Sequence, residues 1–208
     1  MLFRSFYAEA EVNRVLRVEG MADYSSTDGV ALILPNFLTG DELWYDETFH
    51  FPLLNSTDGI SLERISPDLS TQESSNWHSA AATSGYATPG YLNSQAVTAN
   101  TSQATWSAAP DILSPDNDGY QDVLMLQYTM NQPGYVGTVR IYDSAGQLKR
   151  TLKQGELMGI SGEWIWDGLT DDGQKASLGI HVVSLEAFHP SGEVIRKKIP
   201  CVVAHPIH

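Results

Sequence analysis

The chain has 208 residues, of which 42% are hydrophobic and 18% are charged, and its formal net charge is −13. This length allows one large domain or two small ones. So acidic a surface repels phosphates and anionic lipid headgroups, which argues against nucleic acid and membrane surfaces as partners. The single cysteine, Cys201, cannot form an internal disulfide, and its apolar neighbours predict a buried structural thiol.

Short runs of β-branched and aliphatic residues alternate with Asp-Gly turn sequences in the first half of the chain. The runs that predict strands here are residues 12–18, 30–34, 42–45 and 60–64. No segment has the length or the apolar character of a membrane-spanning helix, and no α-helix of three turns is predicted.

A segment rich in Ser, Thr, Ala and Asn over residues 96–104 predicts a linker between two domains, residues 1–95 and 105–208. The second domain has turn signals every 8–12 residues, which is the pattern of a β-sandwich. Its predicted strands are residues 122–129, 136–142, 148–152, 162–166, 180–188 and 194–203. The sequence therefore predicts an all-β protein.

The segment from Trp44 to Gln95 contains a spaced series of motif residues. The series comprises Ser61, Leu62, Glu63, Arg64, Trp77, Thr88, Pro89, Gly90, Asn93 and Ser94. It resembles the C-terminal half of bacterial lamin-tail domains, which are immunoglobulin-like β-sandwiches. The strand pair that opens that family has no counterpart before residue 20. We therefore expect an N-terminally truncated first sandwich, with the export signal in a missing N-terminal part.

The segment from Ser114 to Val203 opens with an Asp-Asn-Asp-Gly turn at residues 116–119 and continues with Trp166, Asp167 and Gly168. It is similar to the immunoglobulin-like domain of flagellar hook-capping proteins and to C-terminal modules of Bacteroidetes surface and gliding-associated proteins. The resemblance implies that Trp166 packs in the core and that Asp167 and Gly168 form a turn. Together the two resemblances imply two immunoglobulin-like β-sandwich modules of an exported protein, and neither family is an enzyme family.

Three carboxylates, Asp116, Asp118 and Asp122, surround a glycine turn, as a hard cation requires, because Ca²⁺ takes six to eight oxygen ligands. Alignment with the calcium loop of an EF-hand places Gly119 correctly but puts Met125 where the bidentate glutamate should stand. The turn is therefore not an EF-hand. Two interpretations of these residues stay open: a calcium site, and a turn whose Asp side chains accept hydrogen bonds from nearby backbone amides. The second interpretation is favoured.

The sequence favours a non-catalytic structural or adhesion module, because it contains no recognisable catalytic motif. We expect it at the extracellular or outer-membrane surface, where it binds a protein or a glycan. The alternative is a carbohydrate-binding module in which calcium, the one cofactor considered, assists binding. The third hypothesis is a metal-dependent hydrolase. An incomplete first sandwich would also leave open sheet edges that permit strand exchange.

Overall fold

The computed structural model describes residues 25–35, 37–97 and 103–204. These residues fall into two compact units, which divide between Asn100 and Thr101. The predicted strand over residues 12–18 lies outside the described residues, as does the middle of the predicted linker. None of the helices in the described part of the chain is long and apolar enough to cross a membrane.

The described part of the first unit contains two separate antiparallel pairs of strands. Strands β1 (Asp28–Ile33) and β2 (Thr39–Tyr45) form one pair, and β3 (Leu62–Arg64) and β4 (Trp77–Ser79) form the other. In the described residues, three single-turn 3₁₀ helices lie in the connections: Glu47–Phe49, Ser74–Asn76 and Ala82–Ser84. Loops held by side-chain hydrogen bonds make up most of the remaining described residues.

Half of the buried residues described in the first unit are polar. Its buried apolar side chains are Leu43, Phe51, Ala80, Ala81 and Ala87, and its buried polar ones are Glu63, Asn76, Ser79, Thr88 and Gln95. Three of these apolar residues are alanines, which bury little area each. The polar groups must therefore be hydrogen-bonded for this unit to be stable, because an unsatisfied buried polar group costs about 1–3 kcal/mol.

The second unit consists of a three-stranded sheet and a five-stranded sheet. The three-stranded sheet has the order β10-β7-β5, and the five-stranded sheet has the order β6-β12-β11-β8-β9. The strands are β5 (Thr105–Ala109), β6 (Ile112–Leu113), β7 (Leu124–Thr129), β8 (Val136–Asp143), β9 (Leu148–Leu157), β10 (Ser161–Trp166), β11 (Gly179–Phe188) and β12 (Val194–Val203). Neighbouring strands are antiparallel, except that the short β6 pairs in parallel with β12.

Alternate residues of these strands form one apolar core between the two sheets. In β7, Leu124, Leu126 and Tyr128 are buried, whereas Met125 and Gln127 are exposed. The same alternation runs through β8, β10 and β11. Trp166 and Leu113 are fully buried within this core. Because successive strand side chains point to opposite faces, this alternation fixes which face of each sheet is internal.

The predicted all-β class is confirmed. The structure also supplies strands that the sequence did not predict, namely β4, β5 and β6. Both ends of the predicted linker are tied to the units: the amide of Val97 donates to the carbonyl of Ile65 at 3.1 Å, and Ala104 packs against the second core.

Cys201 lies on β12 with its side chain in the second core, and it is only 2% exposed. Burial raises the pKa of its thiol from 9.0 to about 11. We predict that Ellman's reagent at pH 8 reacts about 100-fold more slowly with the native chain than with the denatured chain, because the reactive thiolate is depleted. Rapid stoichiometric reaction under native conditions would contradict the placement of Cys201 in the core.

Candidate functional site

Two motif residues of the first unit, Thr88 and Ser94, hydrogen-bond to the side chain of Glu63, which is 3% exposed. One carboxylate oxygen accepts a hydrogen bond from the hydroxyl of Thr88. The other accepts from the hydroxyl of Ser94 at 2.6 Å and from the amide of Gln95 at 3.3 Å. The charge is thus solvated by hydrogen-bond donors of the protein. We call this arrangement of Glu63, Thr88, Ser94 and Gln95 the Glu63 hub.

A tight turn brings Thr88 to the hub. The amide of Tyr91 donates to the carbonyl of Thr88 at 3.3 Å, with Pro89 and Gly90 between them. Gly90 has φ +83°, which is the left-handed conformation that the third residue of a type II turn requires. Proline fixes the second position and glycine permits the third, so the Thr-Pro-Gly motif encodes this turn.

The remaining motif residues attach β3 to its surroundings. Asn93 donates from its side-chain amide to the carbonyl of Arg64 at 2.8 Å. The Trp77 indole donates to the carbonyl of Thr71 at 2.8 Å, while the Trp77 backbone pairs with Arg64 across the sheet. The carbonyl of Ser61 accepts from the amide of Ala80 at 2.9 Å. Each of these contacts fixes backbone position.

An open depression of about 510 Å³ lies beside the hub and is lined in part by Leu62, Glu63 and Pro89. A general base needs a lone pair directed at a substrate proton. Both oxygens of Glu63 already accept hydrogen bonds from the protein. The hub therefore uses most of the acceptor capacity of Glu63 to position the loop over residues 88–95.

Ser79 makes two further polar contacts in the first unit. Its hydroxyl accepts from the amide of Phe51 at 2.9 Å and lies 2.9 Å from Nδ1 of His50. That hydroxyl can donate to an unprotonated Nδ1 or accept from a protonated one, so the contact fits either tautomer. Burial lowers the pKa of His50, and Glu47 opposes that shift. His50 is thus a neutral packing residue at pH 7.

Sequence reasoning did not single out several buried polar residues of this unit. Asn76 is fully buried, and its side chain binds the amide and the carbonyl of Ser66, each at 2.9 Å. The side-chain amide of Gln95 donates to the carbonyl of Ser79 at 3.1 Å. Composition alone could not find them, since a polar residue in a loop is ordinarily exposed.

The second candidate site is the acidic turn of the second unit. One oxygen from each of Asp116, Asp118 and Asp122 lies within 4.8 Å of the other two. Within the described part of the chain, this group has the donor set that a hard cation prefers. The structure therefore brings together the three residues that the sequence selected.

The same carboxylates are hydrogen-bonded to their own loop. The two oxygens of Asp122 accept from the amide of Asn117 at 2.5 Å and the amide of Gly119 at 2.7 Å. Asp118 accepts from the amide of Tyr120 at 2.7 Å. These bonds hold a loop in which Asn117 and Gly119 have positive φ angles of 66° and 89°. The carboxylates thus stabilise the loop whether or not a cation binds.

Trp166, Asp167 and Gly168 form the turn after β10. The Trp166 ring is fully buried, and its indole donates to the carbonyl of Leu169 at 2.8 Å. Asp167 accepts from the amide of Leu169 at 3.0 Å. Gly168 has φ +75°, and a Cβ there would lie 2.8 Å from Pro115. The turn therefore requires glycine for both its conformation and its packing.

The carbohydrate-binding alternative would need exposed aromatic rings, and most of the candidate rings are partly buried. Trp44 is 65% exposed, whereas Trp77, Tyr86, Tyr91 and Trp106 are partly buried. Trp106 packs edge to face on Trp164 at a centroid distance of 6.1 Å, within the second unit. A sugar platform needs several exposed ring faces, and among these five residues only Trp44 offers one.

Comparison with known proteins identifies part of the chain. Residues 114–191 match the FlgD Ig-like domain. The match lies within the second unit, runs from the acidic turn to the β11–β12 hairpin, and confirms the predicted immunoglobulin-like fold of this segment. The lamin-tail resemblance of residues 44–95 stays a prediction. No curated protein matches the chain in sequence.

Two solved structures show weaker similarity. PorZ, a surface component of the type-IX secretion system of Porphyromonas gingivalis, is 23% identical over 48% of this chain, with a TM-score of 0.32. The matched region spans only 11% of that chain. CopC from Methylosinus trichosporium OB3b is 17% identical over 51% of this chain and 96% of its own, with a TM-score of 0.33. Neither similarity is close enough to assign a role to the Ig-like domain.

We predict that Glu63→Gln destabilises the first unit by about 1–3 kcal/mol, because one carboxylate oxygen becomes an NH₂ group that faces hydrogen-bond donors. Urea unfolding followed by tryptophan fluorescence measures the change. Glu42→Gln, at an exposed position on β2, is the matched control and should unfold like the wild type. Equal stability of the two variants would contradict the hub.

We predict that excess Ca²⁺, compared with EDTA, leaves the thermal unfolding of the second unit unchanged, because backbone amides already stabilise the acidic turn. A ligand that binds only the native state raises its transition temperature. A Ca²⁺-dependent rise that is lost in Asp118→Ala but kept in Asp172→Ala would contradict this prediction. It would establish a cation site at Asp116, Asp118 and Asp122.

Proposed function

We propose that this chain is a non-catalytic structural module of an exported bacterial surface protein. Its role is to dock a protein partner or to hold a larger exported protein at the cell envelope. The observation that carries the proposal is the match of residues 114–191 to the FlgD Ig-like domain. An immunoglobulin-like fold does not determine a function by itself. The hydrogen bonding of the chain's polar motif residues supplies the second argument.

The polar residues of the sequence motifs form hydrogen bonds within the fold. Glu63 accepts three hydrogen bonds, and Asp122 accepts two from backbone amides. A hydrolase needs a nucleophile or base whose lone pair faces an open cleft. The commitment of these groups to loop structure supports a scaffold and weakens the metal-dependent hydrolase hypothesis.

The carbohydrate-binding alternative gains no specific support from the geometry, because its candidate aromatic residues are mostly packed. A protein partner therefore fits this module better than a glycan. Location at the extracellular or outer-membrane surface belongs to the same proposal. Strand exchange through open sheet edges remains a prediction for the first unit, in which each described sheet has only two strands.

Surface labelling of intact cells of the source bacterium tests the proposal. We predict that an antibody against this chain labels unpermeabilised cells and that externally added protease abolishes the signal. A cytoplasmic marker protein, protected from the same protease, is the control. Labelling that appears only after lysis would contradict location at the surface.

Assays of the purified chain test separately whether it has catalytic activity. Panels of ester, phosphodiester and glycoside substrates should show no turnover above buffer. A reproducible activity that is lost in Glu63→Gln or Asp118→Ala, with the fold retained by circular dichroism, would overturn the non-catalytic assignment.

A further inference from the structure

The outer edge of β1 has no neighbouring strand among the described residues, because β1 pairs only with β2. At the outer edge of β2, the side-chain amide of Gln72 donates to the carbonyl of Glu42 at 2.7 Å. The side-chain oxygen of Gln72 accepts from the amide of Trp44 at 3.4 Å. Gln72 therefore occupies the edge of β2, and a further strand of this sheet is expected at β1.

The backbone of Ala31 shows what the outer edge of β1 offers. Glu42 and Trp44 direct these backbone groups away from β1, so their cross-strand partners Ala31 and Gly29 direct theirs to the outer edge of β1. No described residue hydrogen-bonds to the amide or the carbonyl of Ala31. After Asp28, β1 contains neither proline nor a charged residue. An open edge of this kind accepts an added strand.

The apolar side chains of β1 are also uncovered. Leu32 is 64% exposed, Ile33 is 52% exposed and Val30 is 43% exposed. An open groove of about 290 Å³ is lined in part by Val30, Leu32, Leu43 and Trp77. Adjacent apolar residues with this much exposure indicate a surface that another element covers.

Residues 12–18 have the composition that this edge requires. Their sequence, Val-Asn-Arg-Val-Leu-Arg-Val, contains four aliphatic residues, two arginines and no acidic residue. Residues 25–47, which include β1 and β2, contain five acidic residues and neither lysine nor arginine. The segment is therefore opposite in charge to the strand pair that it would join, and opposite charge favours their association.

The covalent connection favours this segment over a separate molecule. The carbonyl of Ser25 accepts from the Tyr45 hydroxyl at 3.1 Å, and β1 begins three residues later at Asp28. Residues 19–27 link the segment to β1 and have to span only one strand spacing of about 4.8 Å. A short flexible linker gives an effective concentration on the order of 1 mM. A second copy or another protein at micromolar concentration competes poorly with that value.

We propose that residues 12–18 form a third strand that pairs antiparallel with the outer edge of β1 and covers its apolar groove. The inference goes beyond the surface-module function, since it concerns how the first unit is completed and does not depend on what the chain docks. Full overlap of the segment with β1 aligns Val15 with Ala31 and Leu16 with Val30. Leu16 then lies on the face that lines the groove.

The same alignment places Arg17 opposite Gly29. The ring of Trp44 covers this glycine, since a Cβ on Gly29 would lie 2.5 Å from the ring, and Trp44 is 65% exposed. Arg17 therefore lies beside an exposed indole, whose face attracts a guanidinium group. It also shares a face with Glu42, which makes no salt bridge among the described residues.

Hydrogen exchange of the full chain, resolved by NMR at single amides, is the first measurement. We expect the Ala31 amide to exchange at least about tenfold more slowly in the wild type than in Val15→Pro, because proline removes a ladder hydrogen bond and interrupts the strand. Ala8→Pro, outside the segment, is the matched control and should exchange like the wild type. The Val30 amide faces β2, and its unchanged exchange shows that β1 and β2 remain paired in each variant.

Disulfide formation tests the register. Directly opposed residues of a hydrogen-bonded antiparallel pair have Cα atoms about 5.5 Å apart, which suits a disulfide. Val15→Cys combined with Ala31→Cys should therefore form an intramolecular disulfide at least about tenfold faster than Leu16→Cys combined with Ala31→Cys, whose side chains point to opposite faces. Cys201 is buried in the second core and is common to both variants.

Three results would overturn the proposal. Equal exchange of the Ala31 amide in the wild type and in Val15→Pro would show that the segment does not cover the edge. Equal rates of disulfide formation at positions 15 and 16 would show that the segment is not held in register. A disulfide that joins two chains, seen as a species of twice the 22.8 kDa chain mass, would assign the strand to a second copy. Cell-surface labelling is a separate readout, so neither experiment decides the other.

Discussion

The alternation of buried and exposed side chains along the strands of the second unit is the constraint on which its other features depend. Strand side chains point to opposite faces with a period of two, so a strand that buries Val183 and Leu185 must direct Ser184 and Glu186 outward. The core fixes the register of β11 against β8 and β12. The register determines which outward-facing residues of neighbouring strands lie side by side. A shift by one residue would bury Glu186.

The acidity of the chain is explained in part by its turns. Asp46, Asp122, Asp143 and Asp167 each accept a hydrogen bond from a backbone amide of their own loop. The amide of Gln147 and the side chain of Lys149 lower the pKa of Asp143, and the hydroxyl and amide of Thr48 lower that of Asp46. Both remain ionised at neutral pH. Aspartate is selected at such positions because a short carboxylate reaches amides that no strand pairing satisfies.

Sequence reasoning located most of the second unit because its strands combine strong β propensity with turn punctuation. The predicted run over residues 194–203 coincides with β12, and that over residues 180–188 differs from β11 by one residue. It missed β5 because Ala108 and Ala109 have weak β propensity and acquire strand geometry by pairing with β7. It ended β9 too early because Lys153 and Glu156 look like loop residues, although an edge strand accommodates them.

The candidate sites were predictable to different degrees. Asp116, Asp118 and Asp122 lie within eight residues, so local spacing sufficed to group them. Glu63 contacts Thr88 and Ser94 at sequence separations of 25 and 31 residues, and such contacts depend on tertiary structure. The motif series contains Glu63, Thr88 and Ser94, and only the structure shows that they hydrogen-bond to one another.

The two units are stabilised in different ways, and this difference follows from their composition. The second unit buries leucine, tryptophan and tyrosine side chains, whose stabilisation scales with apolar area and tolerates modest changes of size. The first unit buries a carboxylate, two amides and two hydroxyls against alanines. Unpaired polar groups are costly inside a protein, so the loss of one hub residue leaves each of its partners one hydrogen bond short. Variation in the first unit should therefore be confined to exposed positions such as Glu42, while the core of the second unit can vary more freely among apolar residues.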